Sequence, residues 1–253
     1  MLKTKISTFD STWNPVVGCL HGCEYCYARK IAQRFGGVKI GNFNGNIYKL
    51  DEPYRRSLDG KINPYPYEFM PTFHRYRLND YIEKKGRNIF VCSMADLFGD
   101  WVPDSWIQEV FKACEKAPQH NYIFLTKNPK RYEKILDRYM PPNMWFGWSQ
   151  TGPMGNKCDF STHHSIKTFI SIEPLLEPFK EFHIRGIDWV IIGAETGRRK
   201  DKVVPERKWI EDIVNECRKS DIPLFMKSSL TEIWEEPLIQ EFPKELRGEN
   251  HGK

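Results

Sequence analysis

The sequence predicts an α/β fold, a (β/α) barrel of the TIM type, full or partly open. Three observations carry this. Short apolar runs alternate with helical patterns along most of the 253 residues, and strands alternating with helices pair in parallel through crossovers. Several runs are apolar at every position, as in Val190-Ile191-Ile192, which suits strands buried on both faces. Eight such runs fall within about 230 residues, the strand count of a closed (β/α) barrel.

Taken in order, the expected strands are 13–17, 69–73, 89–92, 122–125, 145–148, 168–172, 189–192 and 223–226, each followed by a polar or Gly-containing turn. Helices are expected between them. The first, 27–35, sets Ile31 and Phe35 four apart. Further helices are expected at 77–84 and 106–116. The next, 130–139, carries Tyr132, Ile135 and Tyr139 on one stripe. The last, 205–219, places Trp209, Ile213 and Cys217 on one face, with Pro205 suited to a first turn. The stretch 36–67 breaks the rhythm. Rich in Gly, Asn, Pro and Tyr, it reads as a long excursion. The expected organisation is therefore one barrel over 1–228, with that excursion, and a C-terminal cap and tail over 229–253.

Composition narrows the function classes. The chain is 40% hydrophobic and 28% charged, ordinary for a folded globular protein and unlike a disordered chain, a collagen or a coiled coil. No run of about 18 apolar residues exists, and Met1-Leu2-Lys3-Thr4-Lys5 has no apolar stretch behind it. The expected setting is the cytoplasm, with no membrane partner. A net charge of +5 permits a nucleic-acid partner without arguing for one, because the two signs are interleaved.

Seven Cys, an odd number, argue against a disulfide framework. Cys92, Cys114, Cys158 and Cys217 are scattered, whereas Cys19, Cys23 and Cys26 fall within eight positions. The spacing is C-x₃-C-x₂-C, directly after the first strand and opening the first helix. Three thiolates on one tight loop can each hold one iron of a cubane cluster. Fe–S clusters normally have four Cys, so three leave one iron open to a substrate or cofactor. A zinc site that recruits His21 as fourth ligand is the main alternative. It would make the chain a zinc-stabilised nucleic-acid or protein binding module. Reduced core thiols, or a redox pair of Cys23 and Cys26, are weaker readings. The first does not need the crowding, and the second leaves Cys19 unexplained.

With Tyr25 as the aromatic, C-x₃-C-x-aromatic-C resembles the signature of the radical S-adenosylmethionine (SAM) enzymes. More of the chain resembles one branch, the phage-associated, uncharacterised radical SAM-type family found beside three-Cys-motif partner proteins. The resembling stretches include Thr12-Trp13-Asn14-Pro15, Phe73-His74-Arg75, Phe90 through Phe98, Leu125 through Arg131, Phe146-Gly147-Trp148-Ser149, Ser171 through Leu176, and Gly193-Ala194-Glu195-Thr196-Gly197. They run from residue 12 to about residue 228, nearly the whole chain.

The resemblance implies a 4Fe–4S cluster on Cys19, Cys23 and Cys26, SAM on the open iron, and Tyr25 near the adenine. It implies reductive cleavage of SAM to a 5′-deoxyadenosyl radical acting on an unknown substrate. A nucleotide or nucleic acid is the leading candidate, on the family's phage association, the basic balance and the aromatic-basic stretch His74 through Arg77. It also implies a flavodoxin- or ferredoxin-type electron donor and a three-Cys-motif partner protein. The chain departs from the superfamily in lacking a Gly-Gly-Glu motif after its second strand. Gly193-Ala194-Glu195 is similar but comes late.

In a barrel of this type function gathers at the C-terminal ends of the strands. Those ends are polar here. Ser93, Asp96, Lys127, Glu173 and Glu195, with Tyr25, are the expected cofactor-binding residues. Thr126, Ser149, Gln150, Lys227 and Ser228 complete the ring. Three further features stand apart. Arg198-Arg199-Lys200 with Lys202 is a basic run suited to phosphate. His74 through Arg77 interleaves aromatic and basic side chains, suited to stacking a base. His163 and His164, near Cys158 and Asp159, are candidate metal ligands.

Overall fold

Seven of the apolar runs become one curled, all-parallel sheet, a half-barrel. The computed structural model describes residues 8–36, 47–136, 140–153, 166–179, 184, 186–197 and 199–247. In chain order its strands are β1 Ser11–Trp13, β2 Val16–Val17, β3 Tyr48–Leu50, β4 Thr72–His74, β5 Asn88–Val91, β6 Asn121–Thr126, β7 Met144–Ser149, β8 Lys167–Ile172, β9 Trp189–Ile192 and β10 Leu224–Met226. The helices are α1 Tyr27–Phe35, α2 Asp104–Glu115, α3 Tyr132–Ile135, α4 Arg207–Lys219 and α5 Thr231–Trp234. The large sheet runs β1-β5-β6-β7-β8-β9-β10, and a small one runs β2-β4-β3. No helix among the described residues is long and apolar enough to cross a membrane.

Two expected barrel strands turn out differently. The run 13–17 breaks at Asn14-Pro15, because proline has no N–H for the ladder and constrains the residue before it. Its first residue, Trp13, ends β1 of the half-barrel, while Val16 and Val17 turn off to pair antiparallel with Phe73 and Thr72. The run 69–73 therefore contributes to the small sheet, not the large one. The stretch expected as a helix at 77–84 is a short 3₁₀ turn, Arg75–Arg77, followed by turns. Its bonds, Asp80 N to Arg77 O and Lys84 N to Tyr81 O, span three residues instead of four. The expected helix at 130–139 is a 3₁₀ turn and one α turn; its end, with Tyr139, lies outside the described residues. In the excursion, β3 pairs in parallel with β4, and 37–46 lie outside the described residues.

The two faces of the large sheet differ. On the outer face Val91, Tyr122, Phe124 and Phe146 pack on Ile107, Val110, Phe111 and Cys114 of α2. Ile170, Ile172, Val190 and Leu224 pack on Ile210, Ile213 and Cys217 of α4. Burying each such large apolar side chain contributes roughly 1.5–3 kcal/mol. On the inner face Ile123, Trp145, Phe169, Trp189, Ile191 and Phe225 close over Phe9, Phe242 and Leu246. The chain after β10 runs back across the opening at the strands' N-terminal ends. Glu241 N donates to Leu224 O at 2.9 Å, and Asn88 and Asn121, the first residues of β5 and β6, donate to Leu246 O and Glu245 O. Segment 239–247 thus plugs the bottom of the half-barrel, and among the described residues the main cavity lies toward the other end.

Candidate functional site

At that open end the cysteine loop is built on a tight turn. Gly18 sits at φ +87°, and a Cβ there would fall 2.2 Å from Met70 O. Only glycine allows both the conformation and the approach. The turn lets Gly18 N donate to Met94 O at 2.8 Å and Cys19 N to Phe69 O at 3.2 Å, so the loop is stitched to the turn after β5 and the turn before β4. At its far end Cys26 caps α1, its Sγ accepting from Arg29 N at 3.4 Å. Arg29 returns to donate to Cys19 O at 3.1 Å and lies over the Phe69 ring.

Cys19, Cys23 and Cys26 are all half-buried, and all three line one cavity of about 260 Å³. Burial pushes the Cys19 thiol up to about 12, and the neighbouring Asp96, Cys23 and Cys26 add to the rise. Three cysteines on one cavity wall could hold a thiolate-bound metal group, which would favour the deprotonated sulfur that burial disfavours at Cys19. Among the described residues no three His, Cys, Asp or Glu side chains stand grouped so as to hold a metal ion, so the three cysteines share a cavity wall without forming a preformed metal site. Cys92, Cys114 and Cys217 are buried in the outer core. Cys158, His163, His164 and Arg198 lie outside the described residues.

On the near side of the loop, Asp96 joins three elements. Its Oδ1 accepts from Thr126 Oγ1 at 2.7 Å and Phe98 N at 3.0 Å. Its Oδ2 accepts from Lys127 N at 2.8 Å and His21 Nε2 at 2.7 Å. Both oxygens are thus taken by the protein, and the side chain is only 7% exposed. Asp96 therefore grips the loop through His21, whose ring also stands edge-on to Trp101. With Nε2 engaged by Asp96, Nδ1 is the ring nitrogen that His21 could offer a metal ion. Beside it, Lys127 Nζ reaches Tyr25 Oη at 2.9 Å. Ser93 Oγ donates to Asn14 Oδ1, which also takes Met94 N, while the Ser93 carbonyl accepts from Tyr27 Oη.

On the far side the carboxylates are held by cations. Glu173 Oε2 lies 3.4 Å from Lys227 Nζ. Glu195 takes Arg199 through both Nε and Nη2, each at 2.8 Å. These bonds, the largest influence on it, hold the Glu195 carboxyl below the usual carboxylate range. Arg199 Nη1 then meets Oε2 of Glu24, in the cysteine loop, at 3.3 Å.

All nine sequence-predicted site residues line the same cavity: Cys19, Cys23, Cys26, Tyr25, Ser93, Asp96, Lys127, Glu173 and Glu195. So do Thr126, Ser149 and Lys227. His74 through Arg77 does not. Arg75 pairs with Glu109 and Asp51 at the far surface, and Arg77 donates to Asn14 O. The cavity also takes residues the sequence did not single out. Ser171 had a readable signal, a hydroxyl inside the apolar run of β8. Phe9, Phe90, Phe169 and Ile191 form an apolar floor and carried no signal of their own. Gly147 makes the floor possible, since a Cβ there would strike the Phe169 ring at 2.3 Å.

No curated protein matches the chain. Among solved structures, a spore photoproduct lyase variant with bound AdoMet and dinucleoside spore photoproduct aligns with a TM-score of 0.48 at 10% identity, over 92% of this chain and 76% of that one. A second spore photoproduct lyase variant aligns with a TM-score of 0.46 at 11% identity, over the same shares. The family model described as "Protein of unknown function (DUF5131)" matches residues 3–250, so the chain belongs to that family.

Proposed function

We propose that the protein is a radical SAM enzyme acting on a nucleotide or nucleic-acid base. One observation carries the reading: Cys19, Cys23 and Cys26, spaced C-x₃-C-x₂-C, face a single cavity at the open end of a half-barrel whose other end is plugged. In this reading the three Cys hold a 4Fe–4S cluster, and SAM binds beside it. Bound there and reduced, that pair supplies a 5′-deoxyadenosyl radical, chemistry that belongs to the cofactor.

The chain's own residues bind, orient and shield. Asp96 and Lys127 position the loop through His21 and Tyr25. Among the strand-end carboxylates, Asp96 has both oxygens taken by the protein. Glu173, at 3.4 Å from Lys227, has capacity left for an ammonium or ribose hydroxyl. The floor of Phe9, Phe90 and Phe169 keeps water from below and offers flat apolar surface to an adenine or a substrate base. The reading brings with it a flavodoxin- or ferredoxin-type electron donor, a three-Cys-motif partner protein and a cytoplasmic setting.

The test is purification without oxygen, with iron, sulfide and zinc measured, followed by reduction in the presence of SAM. Iron and sulfide in equal amounts, lost when Cys19, Cys23 or Cys26 becomes Ala and kept when Cys92, Cys114 or Cys217 does, together with 5′-deoxyadenosine formation, is the expected result. Zinc in place of iron, or iron retained in the triple replacement, overturns it.

A further inference from the structure

We propose that Arg199 receives a phosphate of the substrate strand at the rim of the cavity, with Glu24 holding that place until the strand arrives; the strand as ligand rests on the nucleic-acid reading above. Arg199 follows β9 and lies beside the lining residues Glu195 and Thr196. Glu24 lies between the lining residues Cys23 and Tyr25. The guanidinium therefore stands where the cysteine loop, arriving from one edge of the half-barrel, meets the loop after β9 near the other edge.

The two edges of this guanidinium are treated differently. The Nε–Nη2 edge is taken by both oxygens of Glu195, whose side chain is 2% exposed. A buried fork-to-fork pair of this kind fixes the plane of the arginine. The Nη1–Nη2 edge carries one further partner, a single oxygen of Glu24 at 3.3 Å from Nη1, and the Glu24 side chain is 80% exposed. An exposed single-oxygen ion pair contributes about 1 kcal/mol or less. A phosphate can take the same edge with two oxygens and displace it. Glu195 thus supplies orientation, and Glu24 is an exchangeable anion on a preset site.

The surrounding charge agrees. In the sequence, residues 195–202 hold four cations, Arg198, Arg199, Lys200 and Lys202, against two acids, Glu195 and Asp201, so the segment stays attractive to an anion with Arg199 paired. The near-side bridge joins His21, 23% exposed, to Asp96, 7% exposed, whereas Glu24 on the far side is 80% exposed.

The experiment uses a fluorescent single-stranded DNA decamer, read by anisotropy, against the full chain. Removing the Glu24 charge and removing the Arg199 charge should act in opposite directions. Glu24→Gln, on an exposed side chain, should tighten binding roughly threefold to tenfold. Arg199→Gln should weaken it about tenfold and reduce the slope of log affinity against log salt by about 0.7, the share of one single-strand phosphate contact. Unchanged or weaker binding in Glu24→Gln overturns the proposal, as does equal binding of a decamer with an uncharged methylphosphonate backbone. Inorganic phosphate binding as tightly as the strand overturns the assignment to substrate. Iron and sulfide in the same preparations report separately on the cluster reading. Iron-free protein that binds the strand as described sinks that reading and leaves this one.

Discussion

The cysteine loop is gripped on two sides, and the grips differ in kind. On the near side, at the ends of β5 and β6, Asp96 is buried and accepts four hydrogen bonds from His21, Phe98, Thr126 and Lys127. On the far side, at the ends of β8 to β10, Glu173 and Glu195 are balanced by Lys227 and Arg199, and the contact to the loop runs through exposed Glu24. Carboxylates at equivalent strand ends thus do different work. A carboxylate whose lone pairs are filled by the protein holds structure. One paired with a long cation at the rim of a cavity can exchange that partner for a ligand. The near side is the hinge on which the loop is set, and the far side is where chemistry from outside can compete.

The largest effect should come from breaking the near side. Asp96→Ala strands four donors, three of them in or beside the buried core, and should cost about 3–5 kcal/mol of stability, read as a fall in Tm and in denaturant midpoint. Glu173→Gln should then cost about 1 kcal/mol, because the amide oxygen can still accept from Lys227, whose side chain is only 14% exposed. Equal costs for the two variants would erase the distinction between the sides. Gly18→Ala comes next, at about 2–4 kcal/mol. The substitution forces an alanine into positive φ and a Cβ against the Met70 carbonyl. Faster labelling of Cys19 by a thiol reagent in that variant would show that the near-side stitch has opened.

Acid should also separate the two sides. His74 in β4, under the near side, is held neutral by burial and by nearby Arg77, its pKa lowered to about 3. Its Nδ1 meets Tyr76 Oη, and its Nε2 has no hydrogen-bond partner among the described residues. Unfolded, the same group protonates near 6.5. The unfolded chain therefore takes up the proton first, and stability falls as pH drops below 6.5. The limiting slope is about 1.4 kcal/mol per pH unit from this one group, or about 2 kcal/mol by pH 5. His120, also pushed down by burial, acts in the same direction. The Glu195 pair behaves otherwise, because a carboxyl held below its ordinary value keeps its contribution until the pH falls through that lowered value. Unfolding measured from pH 7 to 4 should show the decline begin near 6.5 and flatten in His74→Phe. A decline that starts only below pH 4.5 would refute the His74 account.

Sequence and structure agree where the signal is local. The helix expected at 27–35 spans Tyr27–Phe35, but Ala28 and Ala32 face the core while Ile31 and Phe35, the pair that pointed to it, are exposed. The later strand runs from 89 on all enter the half-barrel in order. The disagreements come where a local pattern has two tertiary uses. The run at 69–73 reads as a strand and contains one, but periodicity does not say to which sheet a short apolar run belongs. The aromatic-basic run at 74–77 reads as a base-stacking platform. In the fold its Arg77 is spent on Asn14 O, and its Arg75 on Glu109 and Asp51.

What the sequence by itself determined is the parallel α/β architecture and the place of the three cysteines at its first strand-to-helix junction. Apolar alternation, helical spacing and the intervals 19, 23 and 26 are properties of neighbours along the chain. What only the tertiary structure decided is the role of each polar strand end. Asp96 and Glu195 look alike in sequence, each a carboxylate just past an apolar run. One meets His21, 75 positions away, and fills both oxygens. The other orients Arg199 toward Glu24, 175 positions away. A side chain's hydrogen-bonding capacity is fixed by its type, but which partners use it up depends on which strands are neighbours, and that is set only when the sheet closes.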